Sequence, residues 1–173
     1  ELRAALLSAR VPIELAPNTE NSLLADRFVA DLGTAQARTL GAGAYVLVEA
    51  PYASPVPTLT EIIFRVKLKG VTPLIAHPER CLEFEKNGRA AEAVHAGALL
   101  QLDLGSLVGK YGGTAKKLAR AFLDQGLYAV GATDLHGPDE ARAWVGKALE
   151  ELRSRVGEQA FVTMMREAGT AAP

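Results

Sequence analysis

The chain has 173 residues, 49% hydrophobic and 23% charged, with a formal net charge of −1 and a single cysteine. These values fit one folded domain with a sizeable core, exclude a disordered chain, and give no global electrostatic footprint for nucleic acid or an anionic membrane. A lone Cys81 excludes an intramolecular disulfide and suits a reducing compartment. No apolar run approaches the ~18 residues of a membrane span, and no signal peptide is evident. The expectation is a cytoplasmic protein without membrane insertion and without a nucleic-acid partner.

In chain order, "ELRAALLSAR" (1–10) reads as the end of a helix already under way, with no N-cap residue before it. "VPIELAP" (11–17) reads as a short strand. "SLLADRFVADLG" (22–33) has helical spacing, with Ser22 as a cap and Gly33 as a stop. "AYVLVEAP" (44–51) is a strand rich in β-branched and aromatic residues, ended by Pro51. "TLTEIIFRVKLKG" (58–70) predicts a helix with Thr58 as cap, Glu61 three residues on, and Gly70 as the stop. "VTPLIAH" (71–77) is the next strand, "GRAAEAVHAG" (88–97) a helix, and "ALLQLDLG" (98–105) a strand. "GTAKKLARAFLDQG" (113–126) is a helix stopped by Gly126, and "LYAVGATD" (127–134) a strand. "PDEARAWVGKALEELRSRVG" (138–157) opens on Pro138 at the first helical position, and "EQAFVTMMREAG" (158–169) is a last helix.

Strands that alternate with helices predict βαβ units and a parallel sheet. Continuous apolar strands agree, because such a sheet is covered on both faces. With no linker, 1–173 reads as one domain. Parallel strands point the same way, so their carboxyl ends share the face on which α/β proteins build their sites. Polar residues fall at those ends: Glu20 after "PIEL", Glu49 after "YVLV", His77, Glu79 and Arg80 after "PLIA", and Asp134 and His136 after "YAVGAT". Carboxylates and imidazoles are the usual ligands of divalent zinc, manganese or iron, and so many carboxylates favour more than one ion. Taken singly, each has a plain reading as a loop solvator or cap; the argument rests on four polar exits together.

Two other features carry less. His95 lies within a helix and reads as structural. "LDLGSLVGKYGGTAKK" follows a strand and carries Gly105, Gly109 and Lys110. A nucleotide-binding loop needs G-x-x-x-x-G-K-[ST]; here three residues separate the glycines and Tyr111 follows the lysine, so that reading is rejected.

The blocks "YVLVEAP", "LKGVTPLIAHPER", "GALLQLDLGSLVGKYG", "AKKLARAFLDQGL" and "ATDLHG", in that order, resemble the bacterial manganese-dependent tyrosine phosphatases of capsule and exopolysaccharide synthesis, members of the polymerase-and-histidinol-phosphatase (PHP) superfamily. The resemblance implies a distorted TIM-like (β/α)7 PHP barrel with a metal cluster at the carboxyl ends of its strands. It implies Glu20, Glu49, His77, Asp134 and His136 as metal ligands, with Mn²⁺ preferred over Fe or Zn. Arg80 is the matching phosphate-binding arginine and Arg142 the candidate for a second. Arg80 and His136 or Asp134 are the implied catalytic groups, the latter two as proton donors to the leaving phenolate. The implied substrate is the phosphotyrosine tail of a bacterial tyrosine kinase; homo-oligomerisation is a further expectation. The family's leading H-x-H strand has no match within 1–173. The expectation is therefore a domain without its N-terminal metal-binding segment and strands, inactive by itself. A histidinol-phosphatase-like enzyme and a non-catalytic PHP-like binding module are the alternatives. Cys81 lacks the C-x₅-R loop of thiol phosphatases and reads as structural.

Overall fold

The computed structural model describes residues 2–12, 19–24, 27–34, 37–40 and 43–166. Five parallel strands form one sheet in the order β1 to β5: β1 (Asn21–Ser22), β2 (Tyr45–Glu49), β3 (Thr72–Ala76), β4 (Leu99–Asp103) and β5 (Tyr128–Ala132). The helices are α1 (Leu2–Ser8), α2 (Phe28–Asp31), α3 (Leu59–Leu68), α4 (Arg89–His95), α5 (Leu104–Leu107), α6 (Gly112–Asp124), α7 (Pro138–Glu140) and α8 (Gly146–Arg166). The strands never reverse their order along the sheet. With right-handed crossovers, such winding sends the connecting helices to one face. Helix α3 packs on β3, α4 on β4 and α8 on β5. Among the described residues the sheet stays open, so a closed barrel is not what these strands form by themselves.

Alternation sorts the strand residues. Val46, Val48, Ile75, Leu100 and Leu102 join the continuous core. Their neighbours Leu47, Leu74 and Leu99, aligned in register, form an apolar row on the opposite face. There Leu74 is buried while Leu47 and Leu99 are half-buried. The predicted stops after α3 and α6 hold: Gly70 and Gly126 take φ of +76° and +66°, a region that costs a glycine nothing.

Several expectations change. The helix predicted over 22–33 is only the four-residue α2, and Ser22 lies in a strand. The edge of β2 captures this stretch: the Leu23 N–H donates to the Glu49 carbonyl (2.9 Å) and Asn21 Nδ2 to the Leu47 carbonyl (3.0 Å). Thr58 stands at the N-cap of α3 without a side-chain cap bond. The two terminal helices predicted over 138–169 are α7, a π turn over Ala141–Val145, and α8 kinked at Gly157. Most of the strand predicted over 11–17 lies outside the described residues.

The segment after β3 is pinned to the loop after β2. The fully buried Glu83 accepts from the Val56 N–H (2.7 Å) and Arg89 Nε (2.6 Å), with Lys86 Nζ at 3.3 Å. The Leu82 N–H donates to the Tyr52 carbonyl and the Cys81 thiol to the Ala50 carbonyl, both at 3.2 Å. Removing one partner of a buried, hydrogen-bonded pair leaves the other uncompensated. Glu83→Ala is therefore expected to cost about 3–5 kcal/mol in urea unfolding, whereas Glu92→Ala, which removes an exposed pair with Arg89, should cost under ~1 kcal/mol.

Candidate metal centre and its arginine

The strand ends deliver the candidate side chains to one edge. In register, Ser22, Glu49, Ala76 and Gln101 align, so the exits of β1, β2 and β3 are neighbours. His77 follows β3 and holds φ at +32°; Asp134, two residues beyond β5, holds φ at +45°. Both are non-glycine residues in a left-handed conformation that costs energy and persists where the surroundings enforce it. Glu20 precedes the two residues of β1 directly, a different placement from a simple strand exit.

Glu20, Glu49 and His77 converge. His77 Nε2 lies 3.2 Å from Glu20 Oε1 and 3.5 Å from Glu49 Oε1, and the three ligand atoms all lie within 4.8 Å of one another. Donors about 2.1 Å from a common ion sit roughly 3.0 Å apart in an octahedron and 3.4 Å apart in a tetrahedron. The two separations from His77 match those edges, and all three donor atoms lie within 4.8 Å, so this donor set fits a divalent cation. Imidazole with two carboxylates suits Zn, Mn or Fe without distinguishing them.

Asp134 is held elsewhere. Arg80 Nη1 donates to Asp103 Oδ2 and to Asp134 Oδ2, both at 2.8 Å, and Nη2 donates to the Tyr52 hydroxyl at 3.0 Å. The guanidinium carbon lies 3.9 Å from the Tyr111 ring centre and 5.0 Å from that of Tyr52, within cation–π reach. Tyr52 also stacks on His77, ring centres 5.5 Å apart, and so joins the carboxylate–imidazole group to the arginine. His136 is exposed. Its Nδ1 lies 3.0 Å from the Asp134 carbonyl, which only accepts; Nδ1 therefore carries the proton and Nε2 is left as the available nitrogen. Arg142 is 81% exposed and, among the described residues, reaches only Asp139, at 3.4 Å. The structure thus brings Glu20, Glu49 and His77 into one group and Arg80 and Asp134 into an adjoining one. His136 and Arg142 stand apart on the surface.

Sequence reasoning missed Asp103, Tyr52 and Tyr111. Asp103 was within reach, for it is the polar exit of β4, as Glu49 is of β2. It is 1% exposed and caps α5 by accepting the Gly105 N–H at 2.8 Å. Burial pushes its carboxyl up, against the Gly105 N–H, the Tyr111 hydroxyl and Arg80, which pull it down. A Cβ on Gly105 would stand 3.1 Å from both Asp103 Oδ1 and Tyr111 Cε2, so this glycine lets the two approach Arg80 together. The glycine-rich stretch thus serves packing, and Lys110 is paired with Glu140 at 3.0 Å. Burial pushes the Cys81 thiol up to about 12, so it stays protonated at neutral pH, as its structural reading requires.

The family profile described as "Capsular polysaccharide synthesis, CpsB/CapC" matches residues 1–171. The tyrosine-protein phosphatase YwqE of Bacillus subtilis (strain 168) is 27% identical over 160 residues, 92% of this chain and 63% of YwqE. CapC of Staphylococcus aureus is 28% identical over 115 residues, 65% of this chain and 45% of CapC. A solved structure from work on YwqE of Bacillus subtilis and CpsB of Streptococcus pneumoniae, described as unique metal-dependent tyrosine phosphatases, superposes with a TM-score of 0.83 at 26% identity. The match covers 94% of this chain and 66% of that one. The chain thus spans under two thirds of YwqE's length.

Beneath the arginine lies Glu79, 2% exposed, accepting from Tyr128 Oη (2.7 Å) and the Asp103 N–H (3.0 Å). Burial pushes its carboxyl up to about 7, against the pull of the Tyr128 hydroxyl. A carboxyl that holds its proton more tightly folded than unfolded contributes stability fully below the unfolded value near 4.5 and loses it as pH rises through about 7. In chelator-containing buffer, Glu79→Gln should therefore gain on the wild type by roughly 3 kcal/mol, at ~1.4 kcal/mol per tenfold, as urea unfolding is followed from pH 4.5 to 8. A difference independent of pH would refute the assignment.

Proposed function

The chain belongs to the CpsB/CapC family of capsular polysaccharide synthesis, matched over residues 1–171, and from that premise we propose that the protein carrying it is a metal-dependent protein-tyrosine phosphatase. Its substrate is the phosphotyrosine tail of a bacterial tyrosine kinase that controls capsule or exopolysaccharide synthesis, its cation Mn²⁺, and its compartment the cytoplasm. No helix of the described residues is long and apolar enough to cross a membrane. The observation that carries the reading is the convergence of Glu20, Glu49 and His77 within 4.8 Å, adjoining an arginine fixed by two carboxylates. Five parallel strands wound in unbroken order, with an apolar row on the face away from the core, support an arc of a PHP barrel.

The roles follow from the chemistry of each group. Glu20, Glu49 and His77 hold the cation, with Asp134 and His136 Nε2 as further ligands. A bound cation supplies Lewis acidity: it neutralises charge on the phosphoryl oxygens and makes a nearby water more acidic. Arg80 grips the phosphate. Among the described residues its Nε–H and one Nη2 hydrogen have no partner, and that edge suits two phosphoryl oxygens bidentately. Water adds to phosphorus as the ester P–O bond breaks, and the departing phenolate takes a proton from solvent, or from His136 when its Nε2 carries a proton and not the cation. Arg142, on the exposed turn after His136, is the second phosphate contact.

The protein should hydrolyse an aryl phosphate with Mn²⁺ and lose at least 90% of the rate to a chelator. Chelator-resistant turnover would sink the metal reading. His77→Ala should lower both bound metal, read by elemental analysis, and rate. Arg80→Ala should keep the metal and raise KM or the inhibition constant for inorganic phosphate at least tenfold; loss of metal in that variant would reverse the two roles.

A further inference from the structure

Beside Arg80 lies a cavity of about 340 Å³, lined by Tyr52, Glu79, Arg80, Glu85, Tyr111, Thr114 and Ala115. None of Glu20, Glu49 and His77 lines it, whereas Arg80 does. An enclosed cavity of about 150 Å³ suffices for benzene, so the volume of this more open cleft admits a phenol ring with room for the chain it is attached to. Its chemistry is specific. Glu79 is buried and already bonded to Tyr128 and Asp103. Nη1 of Arg80 is bonded to Asp103 and Asp134. What remains toward the cavity is mixed: the rings of Tyr52 and Tyr111 and the methyl of Ala115, beside polar surface that includes the exposed Thr114 and Glu85. An aromatic ring would find aromatic partners in offset or edge-on contact.

The walls are also stiff. Tyr111 packs against the Arg80 guanidinium at 3.9 Å and abuts Gly105, where an added Cβ would meet its ring at 3.1 Å. Tyr52 is fixed by its own hydroxyl on Arg80, its stacking on His77, and the backbone bond from Leu82. A preorganised aromatic wall loses little entropy on binding.

We infer that this cavity seats the group esterified to the phosphate, and that Tyr111, aided by Tyr52, makes it a seat for an aromatic ring. Tyr111 is then the residue that selects aryl over alkyl phosphate monoesters. This rests on Arg80 being the phosphate ligand proposed above.

The test is calorimetric titration of the whole protein that carries this chain, with Mn²⁺, against two non-hydrolysable probes, phenylphosphonate and methylphosphonate. The wild type should bind the phenyl probe at least tenfold more tightly. Tyr111→Leu, which keeps bulk and removes the ring, should bring the ratio to within threefold, and Tyr111→Phe should retain it. Thr114→Trp, at an exposed position on α6, fills the seat from its rim and should lower the phenyl-to-methyl ratio without asking the core to repack. A wild-type ratio near one, or a tenfold ratio that survives both Tyr111→Leu and Thr114→Trp, overturns the ring seat while leaving the phosphate site standing. If neither probe binds, or if Arg80→Ala binds both as the wild type does, the phosphate reading itself fails and the seat fails with it.

Discussion

One guanidinium ties the carboxyl edge of the sheet together. Arg80 follows β3, and through Nη1 it holds Asp103 at the end of β4 and Asp134 beyond the end of β5; through Nη2 it reaches Tyr52 beyond β2. Four successive strand exits are thereby set relative to one another by a single planar group. Lysine could not replace it, because a flexible ammonium lacks the fixed fork that meets three partners in defined directions. The arrangement depends in turn on what lies beneath: the buried Glu79, bonded to Tyr128 and the Asp103 backbone, and the Glu83 clamp that holds the Tyr52 loop against the segment bearing Arg80.

The same edge is where the backbone leaves its ordinary regions. His77 and Asp134 carry positive φ with full side chains. Each terminates a strand run, and each turn swings a functional side chain back across the edge instead of along the strand direction. Pro78, at the first position of the 3₁₀ turn Pro78–Arg80, keeps that turn tight. His77 and Arg80, three residues apart, can then serve different groups: one meets Glu20 and Glu49, the other Asp103 and Asp134.

Much of this was legible in the sequence, for identifiable reasons. Strands β2 to β5 announce themselves as continuous apolar runs, because the core on one face and the Leu47–Leu74–Leu99 row on the other both call for hydrophobic residues. Strand polarity then groups their exits without knowledge of any contact. What failed was governed by tertiary pairing or by single close approaches. Leu23, Phe28, Val29 and Leu32 mimic a helical face, yet the β2 edge offered Asn21 and Leu23 backbone partners that local propensity does not reveal. The glycine at 105 resembled part of a phosphate loop; its use is to admit Asp103 and Tyr111 to Arg80. Tyr52 and Tyr111 carry no motif, since a ring that packs beside a guanidinium obeys no spacing rule.

The charge count at this edge decides what it can bind. Glu20, Glu49, Asp103 and Asp134 face one guanidinium and the neutral-or-charged ring of His77. A phosphate dianion brought here meets a net negative field, and Arg80 by itself is already offset by two carboxylates. The edge therefore favours cations first. Two divalent cations among the carboxylates would reverse that sign, and the arginine's remaining donors would then suit an anion. Cation and phosphate affinities are then linked, each strengthening the other by the same factor. Asp134 is the natural point of exchange, because its carboxylate can serve either Arg80 or a cation held by Glu20, Glu49 and His77. An arginine with no carboxylate neighbours would bind an anion without such coupling; beside Asp103 and Asp134, anion binding by Arg80 would depend on a cation.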